Sequence, residues 1–158
     1  MPPHPTNSES ATFWRYISSS LDRLAALALE IDAAGFHWRP PAQNTNSVAA
    51  LAFHTLGNAE ENILATLCGQ PVNRNRESEF AAAGRSQDDL RALWALLRPR
   101  LAAALSDLPD ERLSAPCDHP RRGQLAGREV LIVVARHSAE HLGQAELTRD
   151  LWLAHGTP

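Results

Sequence analysis

The chain has 158 residues, 44% of them hydrophobic, and carries a net charge of −3 from 18 acidic and 15 basic side chains, the size of one domain with a buried core. Mixed charge of that kind excludes a phosphate-binding face despite Arg121-Arg122, and no apolar run nears the ~20 residues that span a membrane, so neither nucleic acid nor membrane is an expected partner. Two cysteines without paired spacing, Cys68 and Cys117, exclude a disulfide framework and a thiolate zinc knuckle and fit a reducing cytoplasm.

The start, Met1-Pro2-Pro3-His4-Pro5, lacks the regions of a signal peptide, so residues 1–9 read as a flexible tail and 10–156 as the domain. From about Glu9 to Ala34, Phe13, Ile17, Leu21, Leu24, Ala28 and Ile31 recur at steps of four and three, which predicts helix one. Gly35 and Pro40-Pro41 end it, and a connection runs through Phe36-His37-Trp38 to about Asn44. Asn46 or Ser47 caps helix two, which carries Val48, Leu51, Leu56, Ile63 and Leu67 and stops near Gly69-Gln70-Pro71. Ser86 and Asp89 form a capping arrangement ahead of Leu90, Leu93, Trp94, Leu97, Leu101 and Leu105 in helix three, with a kink or an earlier end expected at Pro99. A long crossing with Pro109, Pro116, Pro120 and Gly123 leads to helix four, from Gly127 to about His155. No strand pattern competes, so the predicted fold class is all-α, a four-helix bundle with a long crossing between helices three and four.

The chemistry-bearing motif is His137-Ser138-Ala139-Glu140-His141. Residues four apart are separated by only about 40° around a helix, so both rings leave one face. That face also carries Val130, Val133, Val134, Gln144 and Thr148, which turns the pair inward. Two buried imidazoles need hydrogen-bond partners or a shared metal, because leaving them unpaired costs on the order of 1–3 kcal/mol each. The same residues match the inverted zinc-protease pattern, but only 17 residues follow His141, and Glu140 points about 60° away. Zinc sites that carry chemistry use three protein ligands and water. His54 is the one histidine in the middle of another helix, with Asn58 and Glu61 on its face. Leu56, Ile63 and Leu67 lie nearly opposite, so periodicity puts His54 on the polar side unless helix two is buried on both sides, one of them against a partner subunit.

The ensemble resembles the DinB/YfiT-like four-helix proteins, with one histidine in helix two and H-x-x-x-H in helix four. The resemblance is carried by Asn46-Ser47 ahead of His54, Arg74-x-Arg76 with Glu79-Phe80, Gly127-Arg128-Glu129-Val130-Leu131, and His141-Leu142-Gly143-Gln144, from about Phe13 to Leu153. It implies His54, His137 and His141 as ligands of one divalent metal, with helices one and four neighbouring two and three in a bundle that often forms homodimers; the three-nitrogen donor set points to zinc or nickel. It further implies a small-molecule substrate and a low-molecular-weight thiol as cosubstrate, since members with assigned activities are thiol-dependent isomerases and S-transferases, and others are described as hydrolases. On that reading the metal is a Lewis acid that activates a thiol or water, with Glu61 as proton acceptor and Asn58 or Gln144 orienting the ligand. The rival reading is a non-catalytic metal- or small-molecule-binding module in stress response, with a closed site completed by His37 or Glu61.

Overall fold

The computed structural model describes residues 9–81 and 84–156. Of the expected tail, residues 1–8 lie outside the described residues; Glu9 opens α1 (Glu9–Glu30) and pairs with Arg128 at 3.0 Å. The helix then breaks at Ile31-Asp32, earlier than the expected Ala34, because the Asp32 carboxylate accepts from Gly35 N–H at 2.8 Å and starts a separate short helix, α2 (Ala33–His37).

Helix α3 (Val48–Glu60) is capped by the Ser47 hydroxyl, which accepts from Ala50 N–H at 3.1 Å. It continues as a π-helical segment, Glu61–Leu67, that closes at Gly69, whose φ of 67° suits glycine. A short helix that the periodicity did not reveal, α4 (Arg76–Phe80), follows with Asn75 as its cap. Helix α5 (Gln87–Ser106) begins with the expected Ser86–Asp89 capping box and runs through Pro99 without ending. After α6 (Glu111–Ser114), the crossing holds a hairpin the sequence did not announce: β1 (Pro116–His119) pairs antiparallel with β2 (Gly123–Ala126), in register Pro116↔Ala126 to His119↔Gly123. Helix α7 (Gly127–His155) completes the bundle.

The long helices pack as a bundle in which α1 lies between α7 and α5, and α3 packs on α7. Its core joins Ile17, Leu21 and Leu24 of α1, Leu51, Phe53 and Leu56 of α3, Leu97 and Leu101 of α5, and Val130, Leu131 and Val134 of α7. Helix α3 is the exception to one-sided amphipathicity: every residue from Val48 to Leu56 is buried. It touches α1, α2, α4, α5 and α7. His54 is therefore only 5% exposed, which corrects the placement on a polar face. The second buried side faces α4 of the same chain, where Glu79 bonds to His54. Among the described residues, no helix is long and apolar enough to cross a membrane.

Candidate metal centre

Two antiparallel helices bring the three histidines together. Gly127 at the start of α7 lies against Leu67 at the end of the π-helical segment, so His137 and His141, about three and four turns on, come level with His54. His137 Nε2 stands 3.0 Å from His54 Nε2 and 3.1 Å from His141 Nε2. All three donor atoms lie within 4.8 Å of one another, and this is the one group of its kind among the described residues.

Counting protons shows what the cluster lacks. His54 Nδ1–H donates to Glu79 Oε2 at 3.0 Å, and a carboxylate can only accept, so Nε2 of His54 presents a lone pair. His141 Nδ1–H donates to Gln144 Oε1 at 2.6 Å, which leaves its Nε2 a lone pair as well. His137 can offer at most one N–H to these two acceptors, and its own Nδ1 is buried with no partner. Either tautomer of His137 leaves convergent lone pairs unsatisfied. A cation satisfies all three at once, and imidazole bonds of about 2.0–2.1 Å at angles near 90–110° place donor nitrogens about 2.9–3.4 Å apart, the spacing of His137 from each of its two neighbours. Two of the donors, His137 and His141, are also held toward the neutral, ligating form. Burial first, then the neighbouring His141 and His54, lowers the His137 pKa to about 3, and burial lowers that of His141 against the opposing hydrogen bond from Gln144.

A charged chain supports His54 from behind. Glu79 is held by Arg74, whose Nε donates to Oε1 at 2.7 Å and Nη2 to Oε2 at 2.9 Å, while Arg74 Nη1 reaches Glu61 Oε2 at 2.8 Å. Burial raises the Glu79 pKa, but the bonds from His54 and Arg74 outweigh it and hold the carboxylate below its ordinary value. Glu61 is gripped from the other side by Arg121 at the tip of the hairpin, so the unannounced strands anchor the far end of the chain. Gly57 makes room for it: a Cβ there would collide with Glu79 Oε1 and crowd Arg74 Nε at 3.1 Å.

The predicted site residues thus divide. His54, His137 and His141 converge, and Gln144 orients His141. Glu61 is engaged by Arg74 and Arg121, and burial, which raises its pKa, is outweighed by those arginines, so it is held as a carboxylate. Asn58 is buried on α3 with its Oδ1 unpartnered. Glu140 is exposed, and His37 lines a separate cavity, outside the three-histidine group. Sequence reasoning noticed Glu79 and Arg74 without giving them a role; the available signal was a pair of opposite charges in a segment that otherwise reads as loop.

Comparison with known proteins agrees with this architecture. A solved structure described as a conserved protein from Enterococcus faecalis superimposes with a TM-score of 0.77 at 16% identity, covering 94% of this chain and 99% of that one, a likeness of fold. No functionally curated protein matches the sequence. The sequence profile of the DinB superfamily matches residues 16–145, a span that contains the three histidines, Glu79 and Gln144, and the chain belongs to that superfamily.

Proposed function

We propose that the protein is a metal-dependent DinB-like enzyme that holds one divalent ion, zinc or nickel, on His54, His137 and His141 and acts on a small molecule in a thiol-dependent transfer or a hydrolysis. The observation that carries this reading is the set of converging Nε2 atoms with fewer protons than acceptors. Such an ion supplies Lewis acidity at neutral pH, lowering the pKa of a thiol or water and polarising a carbonyl.

The surrounding residues prepare that role. Glu79 fixes the His54 tautomer and ring orientation, Arg74 fixes Glu79, and Gln144 does the same for His141. Phe80 lies against the His54 ring, with centroids 4.5 Å apart, and excludes water from that flank. Among the described residues, no carboxylate or fourth histidine joins the three nitrogens, which favours an open, reactive site over a closed structural one. Glu61 is less suited to take a proton than its place just after α3 suggested, because two arginines stabilise its charge.

The test is elemental mass spectrometry of the untagged protein beside His54→Ala and His137→Ala. The expected result is about one metal per chain, lost in both variants. Metal-free protein even after reconstitution refutes the reading. With metal present, thiol-dependent transfer and ester hydrolysis are the activities to screen.

A further inference from the structure

Next to the histidine cluster lies a cavity of about 420 Å³ whose polar lining is Arg39, His37, Asn46 and Ser47, with Ala50 and Phe80 among its walls. Its position follows from α3. Ser47 and Ala50 precede His54 by seven and four residues, so all three lie within about 60° on one face, and Ala50 is about 6 Å from His54 along the axis. Phe80 belongs to both places, lining the cavity and resting against the His54 ring.

The chemistry of the lining is one-sided. No acidic side chain is among its described residues. The Arg39 guanidinium makes a single hydrogen bond, Nε to Thr45 Oγ1 at 3.3 Å, and has no carboxylate partner among the described residues. His37 makes an edge contact with Phe36 at 4.8 Å between centroids. The Ser47 oxygen accepts the capping bond and keeps its hydroxyl proton to give. Several other exposed arginines are engaged, Arg23 with Glu146, Arg98 with Asp22 and Arg128 with Glu9, while Arg15 and Arg76 lie over the rings of Tyr16 and Phe80. An arginine left with free donors in a concave site without acids is suited to a carboxylate, which its planar fork binds bidentately.

We propose that this cavity is the substrate's anion subsite, and that the small molecule processed at the histidine cluster carries a carboxylate held by Arg39 about one helical turn from the reacting group. The assignment rests on the metal reading above, since it supplies that site's substrate class.

Two titrations test it and separate the two ideas. Metal-free protein is titrated with butanoate and with butanol, following the indole N–H resonance of Trp38, the neighbour of Arg39. Cobalt-loaded protein is titrated with ω-mercapto acids and the matching ω-mercapto alcohols of about two to six carbons, a range that brackets one turn of about 5.4 Å, following the thiolate-to-cobalt absorption. The acid is expected to bind about tenfold tighter than the alcohol of equal length, the advantage of a charge-assisted hydrogen bond. Arg39→Gln is expected to erase the advantage while leaving cobalt content and alcohol affinity unchanged, and Arg39→Lys to restore part of it. If cobalt loads and thiols bind but acid and alcohol are equal, or the preference survives Arg39→Gln, the subsite is overturned. If cobalt does not load but butanoate is still preferred through Arg39, the metal reading falls and the carboxylate site stands.

Discussion

Replacing Glu79 by Gln changes one atom type in the support of His54 without touching a proposed ligand. Glu79 and Arg74 side chains are 6% and 5% exposed, so their bonds are made away from water. The carboxylate accepts three: from His54 Nδ1 at 3.0 Å, Arg74 Nε at 2.7 Å and Arg74 Nη2 at 2.9 Å. An amide has one acceptor oxygen and must aim its NH2 at a donor, either Arg74 or His54. At least one charge-assisted bond is lost, at about 1.5–3 kcal/mol. Breaking a buried ion pair outright costs about 3–5 kcal/mol, but Arg74 keeps Glu61 at 2.8 Å, so a loss of about 2–4 kcal/mol is expected. For a chain of this size that lowers Tm by roughly 5–15 °C. Loosening the ring also weakens metal binding, by about 10–100-fold where such supporting partners are removed. Urea melts with chelator present measure the first effect, and competition against a chromophoric chelator measures the second. A folded Glu79→Gln protein that binds metal within about twofold of the wild type refutes the role given to Glu79.

Gly57→Ala supplies a second probe of the same contact. An exposed helix position gains about 1 kcal/mol from this change, whereas here the new Cβ displaces Glu79 Oε1, so lower stability and weaker metal binding are expected, and a stabilised protein with unchanged affinity contradicts the packing described. A third prediction concerns Asp32, whose pKa is lowered by the Gly35 N–H and by the Trp152 indole, which donates to Oδ2 at 2.8 Å. A carboxyl whose folded pKa is depressed contributes stability above its unfolded pKa of about 3.9 and loses it as pH falls through the folded value. Asp32→Asn retains a capping oxygen but not the charge, so its urea midpoint should lie below the wild type at neutral pH and converge with it in acid. A gap that is constant with pH assigns the difference to something other than the charge.

The sequence by itself determined the elements whose information is local. The stripe from Ile17 to Ile31 made α1 legible, and Ser47, with Ser86 and Asp89, marked helix starts that the structure reproduces. The four-residue spacing put His137 and His141 on one face of α7, and the place of His54 in the middle of another helix, with the resemblance to a known family, made it the third candidate. What local pattern could not give was anything fixed by partners distant in sequence. Periodicity reports one dry side of a helix, so it failed on α3, whose Val48–Leu56 stretch is buried throughout because α4 and α7 cover its His54 face while α1, α2 and α5 also pack on it. Glu79 meets His54 across 25 residues and Arg121 meets Glu61 across 60, and nothing in either neighbourhood encodes those meetings. The hairpin escaped notice because its strands are only four residues each, too short for the alternation of β1 to stand out, and β2 does not alternate. Only the tertiary structure placed a carboxylate behind one ligand, an amide behind another and an arginine-lined cavity beside them, because each is an encounter between segments whose separate sequences obey no common period.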